Sequence, residues 1–391
     1  MKSYDVIVVG GGLIGSSISC ELAAQKLRVV LLDRQQPGRE ASWAAAGMLS
    51  PAPDSLQALP LVPLAQESLR LYPDFVSAIE EASGKSVAFA RTGAFEILDN
   101  ADVAARCDRL LAQYARLGIA AELISMESAR AKEPALNPNS AAALWLSGEA
   151  TVDPRLLTEA TLEAAENRGV EIVAFRAVTS ILGEAGRCSG VVAGGEKITA
   201  EQVIIAAGSF CGSLDENAAD DAIAMARYTP THPIRGQMLA MRSNKVHLQK
   251  VLRSERGYIV PRADGRIIAG STLENVGFVK DTTPEGLRKV FEAAVALAPA
   301  LANTEIVETW AGLRPGTPDQ LPLIGPTDIP GLLIATGHYR NGILLAPITA
   351  KLVREWVVEG KTSFDARRFS PLRFSAQSFG VATRKSIPAM P

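Results

Sequence analysis

Apolar residues in this chain fall into two patterns: short runs with no polar interruption, and longer stretches where they recur every three or four positions. Val6-Ile7-Val8-Val9 is the first uninterrupted run, and it reads as a strand buried on both faces. Ile14, Ile18 and Leu22 then share one helical face, and Val29-Val30-Leu31-Leu32 completes a strand–helix–strand unit. Val203-Ile204-Ile205, ending in Ala206-Ala207-Gly208, and Leu332-Leu333-Ile334-Ala335 return to the buried type. The former belongs beside the first strand, where a ligand must pass close to the chain. Helical spacing marks residues 63–81, 103–117, 284–297 and 343–358. Asp153-Pro154 opens a further helix to about residue 168, with the carboxylate as N-cap and proline in the first turn. A strand follows at 170–173, and short strands at 178–182, 188–192 and 196–199 form a small meander.

Strand 93–98 stands apart from these elements. Between about Met225 and Gly312 the pattern changes again, to alternation. Strands are expected at 236–241, 258–261, 266–270 and 305–310, with Ala263-Asp264-Gly265 as a hairpin turn. The expected fold is therefore α/β: a Rossmann-type domain with a parallel sheet, plus a second domain built on an antiparallel sheet. Its boundaries are 1–82, 149–220 and 318–364 for the first domain and 83–148 and 221–317 for the second. Residues 365–391 lack periodicity and are expected to be loosely held.

The turn after the first strand carries chemistry. Gly10-Gly11-Gly12-Leu13-Ile14-Gly15 satisfies G-x-G-x-x-G between a strand and a helix, and Asp33 follows eighteen residues past Gly15. In such a unit Gly10 allows the tight turn, Gly12 lets a pyrophosphate approach the backbone, and Gly15 lets helix and strand pack closely. The helix N-terminus favours the negative charge, and Asp33 is placed to accept from an adenosine ribose. Further on, Ala44-Ala45-Ala46-Gly47 is a run of small residues suited to lying against something flat and large.

Composition narrows the partners. The 391 residues include 40 Lys and Arg against 42 Asp and Glu, a net charge of −2, with 47% apolar residues. No global positive field draws the chain to nucleic acid or an anionic membrane. No apolar run is long enough to span a bilayer or serve as a secretion signal, so a cytoplasmic location is expected. Cys20, Cys107, Cys188 and Cys211 form no C-x-x-C pair and read as buried, reduced thiols. His232, His247 and His338 lack metal-ligand spacing, so no metal site is expected. No G-x-S-x-G nucleophile motif is present.

Taken together, the motifs resemble the glycine oxidase branch of the D-amino-acid oxidase flavoproteins. The resemblance spans nearly the whole chain to about residue 364. It rests on the glycine turn, Ala44-Ala45-Ala46-Gly47-Met48-Leu49, Tyr258-Ile259-Val260-Pro261-Arg262, Trp310-Ala311-Gly312-Leu313-Arg314-Pro315-Gly316 and Gly337-His338-Tyr339-Arg340-Asn341-Gly342-Ile343-Leu344-Leu345-Ala346-Pro347. It implies noncovalent FAD, in keeping with the lack of any cysteine after Cys211. It also implies a homo-oligomer and a role in thiamine thiazole assembly beside a thiazole synthase. Carried over, Gly10, Gly12, Leu13, Ile14 and Gly15 cradle the cofactor, and Asp33 and Arg34 bind its adenosine end. Ala41 and Ser42 take the pyrophosphate and ribitol region, Gly47, Met48 and Leu49 the isoalloxazine, and Val178 the adenine by backbone. His338, Tyr339, Arg340, Asn341, Gly342, Ile343 and Leu344 lie against the ring.

Oxidising an amino acid at its α-carbon by hydride transfer to flavin N5 leaves negative charge on the ring. The last helix, beginning at Asn341 and Gly342, can stabilise it. A substrate carboxylate calls for a bidentate partner, and Arg314, just past a strand end, is the first choice. By resemblance Tyr258 holds the same carboxylate and Arg340 adds a contact nearby. No side-chain base is implied, because alignment of a neutral amine does most of the work. Arg235-Gly236-Gln237 reads as a structural, channel-lining segment. The expected reaction takes glycine, sarcosine or a small D-amino acid, with O2, to an imine and then 2-oxo acid, ammonia and H2O2. A dehydrogenase that passes electrons to a quinone or carrier, and a flavin-binding module without amine chemistry, remain as alternatives.

Overall fold

A computed structural model of the chain describes residues 3–99, 102–215 and 222–374. Ser3–Val9 is the centre of its first sheet. It pairs in parallel with Val29–Leu32 on one side and with Glu196–Ile205 on the other. Glu171–Val173 and Leu332–Thr336 extend the parallel ladder outward, and Leu323–Pro326 adds an antiparallel edge. Side chains alternate across the sheet, and each face is covered. Val6, Val8, Leu31, Ile204 and Leu333 pack under the helices Leu13–Ala24, Val62–Ser83, Pro154–Asn167 and Gly342–Glu359. Ile7, Val9, Val30, Leu32, Val203 and Ile205 pack against the meander and Tyr228. Burial on both sides is why these runs show no alternation.

The meander differs from expectation at its last strand. Residues 196–199 and the run from 203 are one strand, Glu196–Ile205, not two. Its first residues pair antiparallel with Arg187–Ala193, while Thr199 to Ile205 run beside Ser3–Val9. Gln202 reads as a break in the sequence, yet it pairs with Val6 and keeps the ladder continuous.

The second sheet has eight strands, in the order Glu305–Gly316, His232–Arg242, Arg266–Gly270, Gly257–Pro261, Val251–Ser254, Ala94–Leu98, Ala142–Leu146 and Glu122–Ile124. All neighbours are antiparallel except Val251–Ser254 with Ala94–Leu98. Helix Pro284–Leu297 covers one face through Val290, Ala294 and Leu297. The opposite face carries Met238, Ala240, Val260, Ile268 and Trp310 and meets Ala44 and Ala46 of the small-residue run. Three of these strands have no sequence signature. Ala142–Leu146 is composed of good helix formers apart from Trp145, and becomes a strand because Ala94–Leu98 offers it a partner. The Glu305–Gly316 strand also runs well past residue 310. It pairs with His232–Arg242 over its whole length, so Arg314 stands inside a strand opposite Ile234 and not beyond its end.

Charged residues join the two sheets. Asp153 caps Pro154–Asn167 by accepting from the Arg155 and Leu156 amides, and its other oxygen lies 3.4 Å from buried Arg262. Burial pushes the Arg262 guanidinium down to about 10. Arg155 itself stacks 3.6 Å over the Trp43 ring and forms a two-pronged pair with Glu308. Arg253 reaches Glu149 at 2.8 Å and Glu96 at 3.1 Å.

The stretch after residue 364, expected to be loose, packs as far as Phe374. Phe369 is buried, and Arg373 donates to both oxygens of Asp319. Residues 375–391 of that stretch lie outside the described residues. All four cysteines are buried free thiols. Among the described residues no helix is long and apolar enough to cross a membrane.

His338 ties the loop after Leu332–Thr336 to the last helix through a 3.0 Å contact between Nε2 and Thr349 Oγ1. Burial drives its pKa from 6.5 down to about 3, so the folded protein holds it neutral. An unfolded chain protonates this histidine as pH falls through 6.5, so the stability His338 contributes is complete above 6.5 and declines toward pH 3. Thermal midpoints measured from pH 7 to pH 4 should fall less steeply in His338→Gln than in the parent. Replacing Asp153 with Ala removes a cap worth about 1 kcal/mol and strands the Arg262 charge. A total loss of about 3–5 kcal/mol is expected in denaturant unfolding, with Asp153→Asn, which keeps the cap, losing less.

Candidate active site

Between the sheets lies a cavity of about 740 Å³. One wall is the carboxyl ends of the parallel strands, where doubly wound sheets bind ligands. Gly10 has φ +107°, and a Cβ there would stand 2.5 Å from the Ala206 carbonyl oxygen. At Gly15 a Cβ would meet the Gly10 carbonyl at 1.9 Å, so the helix can sit against the turn only without a side chain. Gly12 is the N-cap of Leu13–Ala24 and receives no side-chain cap. The Leu13 amide donates to Ser42 Oγ at 2.9 Å. Gly10, Gly12, Ile14, Ala41 and Ser42 face the cavity, whereas Leu13 and Gly15 stand behind it.

Asp33 lines the far end of this wall. Its oxygens accept from the Gly11 amide at 2.7 Å and the Gln35 amide at 2.9 Å. Burial raises its pKa, while those two amides oppose the shift. Each carboxylate oxygen keeps lone-pair capacity for a further donor. Arg34 behaves differently from a free ligand: its guanidinium lies 3.3 Å over the Phe210 ring and pairs with Glu40 at 3.0 Å. Val178 lines the same end. Phe210 and Leu214 join it from a short 3-10 helix, Gly208–Asp215, which hydrophobic spacing could not reveal.

The small-residue run crosses the middle of the cavity. Gly47 has φ +76°, and a Cβ there would collide with the Val152 carbonyl at 2.0 Å. Ala44, Ala45, Ala46, Gly47 and Met48 line the space, while Leu49 turns into the core. Opposite, Gly312 has no side chain where one would meet the Ala44 methyl at 2.4 Å.

The second sheet contributes Arg314 and Tyr258. Arg314 is half-buried; its guanidinium donates to Ser271 Oγ at 2.6 Å and to the Thr272 carbonyl at 3.3 Å. No acidic side chain among the described residues pairs with it. Burial lowers its proton affinity and nearby Arg340 lowers it further, while Tyr258 and Tyr339 act in the opposite sense. The space it occupies exists because residue 236 is glycine: a Cβ there would lie 2.2 Å from the guanidinium. Tyr258 lies against Met238, its hydroxyl 3.5 Å from the sulfur. Arg340 also lines the cavity, with its guanidinium held by Asp54 at 2.6 Å.

The last helix, Gly342–Glu359, starts at this wall, and its N-cap Asn341 makes no side-chain cap. His338, Tyr339, Asn341, Gly342 and Ile343 face the cavity. Leu344 is buried behind them, its carbonyl accepting from Ser68 Oγ at 2.6 Å. Also on the wall, and not anticipated from sequence, are Glu96, Tyr114 and Arg253, which come from strands and a helix far apart in the chain.

Two uncapped helix N-termini, a glycine turn open to close approach and a carboxylate at the far end suit a long, anionic dinucleotide. The residues present therefore fit FAD in length, charge and room for close backbone approach.

Comparison with known proteins leads to the same place. The profile of the FAD dependent oxidoreductase family, DAO, matches residues 5–356. The chain is 32% identical over 377 residues to the glycine oxidase of Pseudomonas putida, covering 94% of this chain and 98% of that one. It is equally similar, at 32% over 377 residues, to the bifunctional protein ThiO/ThiG of Synechocystis, but spans only 54% of that protein's length. The crystal structure of glycine oxidase from Geobacillus kaustophilus superposes with a TM-score of 0.88 at 30% identity, covering 95% of this chain and 99% of that one. With its glycine turn, two-sheet cavity and full-length similarity, the chain belongs to the DAO family of FAD-dependent oxidoreductases, and FAD is its cofactor.

Proposed function

We propose that this chain is an amino-acid oxidase acting on glycine or a comparably small amino acid, with sarcosine and small D-amino acids in the same class. The observation that carries this reading is the half-buried Arg314 guanidinium, which no acidic side chain among the described residues neutralises. An unpaired cation partly withdrawn from water is costly, and it persists where an anion arrives to neutralise it. Ser271 and the Thr272 carbonyl hold the fork in place, and Tyr258 lies alongside, so a planar carboxylate can take the remaining donors in bidentate fashion.

Bound FAD supplies a two-electron acceptor. The chain's own residues supply position and charge. Arg314 and Tyr258 fix the carboxylate, which orients the α-carbon relative to the cavity's middle. Asn341 and Gly342 turn the last helix's N-terminus toward the same space, where its amides and dipole stabilise negative charge. Small residues at 44–47 and 312 let the walls close without filling the space. His338 is neutral and bonded to Thr349, so it holds the loop and carries no proton in the reaction. Overall, the amine and O2 give an imine and H2O2, and water converts the imine to the 2-oxo acid and ammonia, or methylamine when the substrate is sarcosine. The ThiO/ThiG relatives, in which a chain like this one makes up about half of the protein, support a role for the product in thiamine thiazole assembly beside a thiazole synthase.

Peroxide release from glycine, sarcosine and D-alanine tests this directly. A yellow protein that gives no peroxide with any of them would overturn it, and turnover that requires an artificial acceptor under air would mark a dehydrogenase instead. Arg314→Ala should lower kcat/KM by about 2–5 kcal/mol, roughly 30- to 5,000-fold, while FAD absorbance is retained. Arg314→Lys should recover only part of that loss, because a point charge cannot reproduce the planar fork. Gly236→Ala should raise KM by displacing the guanidinium, with little change in the flavin spectrum.

A further inference from the structure

The segment after Arg266–Gly270 crosses from the second sheet to the first. It is anchored at both ends to strand His232–Arg242. Arg235 Nε donates to Glu274 at 2.6 Å, and the Thr283 amide donates to Gln237 Oε1 at 2.7 Å. Between these anchors the chain hangs over the adenosine end of the cavity. Arg235 Nη1 also donates to the Asp281 carbonyl at 3.0 Å, so the far anchor begins at Asp281, and residues 275–280 between the anchors carry two contacts. The Phe278 ring stacks on Phe210 with centroids 5.0 Å apart and planes 28° apart. Lys280 pairs with Glu40 at 2.9 Å.

Both contacts converge on one residue. Phe210 is the ring beneath the Arg34 guanidinium, and Glu40 is the carboxylate that Arg34 pairs with. Arg34, Glu40 and Phe210 all line the cavity beside Asp33. Phe278 itself is 52% exposed, and Lys280 is also largely open to water. A segment held by one half-exposed stack and one exposed ion pair opens far more readily than the strands on either side.

We infer that residues 275–280 form a clasp over the adenosine end of FAD, whose opening sets how fast the cofactor leaves. Phe278 and Lys280 are positioning residues: they act through Phe210 and Glu40 on Arg34 and do not themselves line the cavity. Solvent-exposed Phe278 is thereby accounted for, since its ring covers Phe210 only while the clasp is closed. The inference concerns FAD retention and does not depend on which amino acid is oxidised.

The experiment dilutes the FAD-loaded protein and follows free flavin by its fluorescence. Phe278→Ala should release FAD roughly 3- to 10-fold faster, the range expected for loss of an aromatic pair, and Phe278→Tyr should restore the parent rate. Lys280→Glu, which faces Glu40 with a like charge, should also release faster, and Lys280→Arg, which keeps the charge, should release at the parent rate. Val276→Ser, an exposed change inside the clasp at a residue other than the two contacts, should release at the parent rate. Parent-like release in both Phe278→Ala and Lys280→Glu would overturn the clasp. So would equal acceleration in Val276→Ser, which would mean that the segment had merely been loosened.

Discussion

Where two parallel strands end side by side, their backbones come so close that no side chain fits between them. Gly10 turns beside the Ala206 carbonyl, and Gly15 brings the first helix down onto the Gly10 carbonyl. This contact fixes the direction of the Leu13–Ala24 helix, and with it the point at which its unpaired amides emerge. Asp33, at the end of the next strand, is tied to the same turn by the Gly11 amide. The cavity floor therefore follows from packing: once the strands Ser3–Val9 and Glu196–Ile205 are in register, the anion-favouring end of the helix and the carboxylate have no other place to lie.

The opposite wall is organised by a half-buried charge. Arg314 projects from the middle of a long antiparallel pair into space left by Gly236. Its partners are a hydroxyl and a carbonyl, which orient the guanidinium without neutralising it. That differs from the other arginines that reach the interior. Arg253 is matched by Glu149 and Glu96, and Arg262 by Asp153. Those pairs hold the sheets together, at a desolvation cost that their partners offset. Arg314 lacks such an offset, and the electrostatic imbalance lies within reach of the cavity.

Between the two walls, small residues set the spacing. Ala44 sits against Gly312, and the Trp310 indole donates to the Ala44 carbonyl at 3.1 Å. Arg262 donates to the Ala46 carbonyl at 2.6 Å. The run from residue 44 to residue 47 is thus fastened to the second sheet by hydrogen bonds to its backbone and remains thin. A larger side chain at either face would separate the sheets or fill the cavity between them.

The sequence by itself determined the first sheet's buried strands, the glycine turn with its acid and the helices with clear spacing, because each is encoded within about thirty consecutive residues. Arg314, Tyr258 and the 338–343 loop were legible through their motifs, and the structure brings them to one cavity. Tertiary structure alone decided the rest. Ala142–Leu146, Val251–Ser254 and Leu323–Pro326 are strands because a neighbour offered a ladder, and the continuity of Glu196–Ile205 has the same origin. Phe210, Glu96 and Arg253 reach the cavity through contacts between residues far apart in the chain, and the stacking of Arg34 on Phe210 and the engagement of Arg340 by Asp54 have the same origin. Local periodicity records which face of an element is buried. It carries no information on which distant group will face it, since that is set by pairing and packing energies that exist only once the sheets have met.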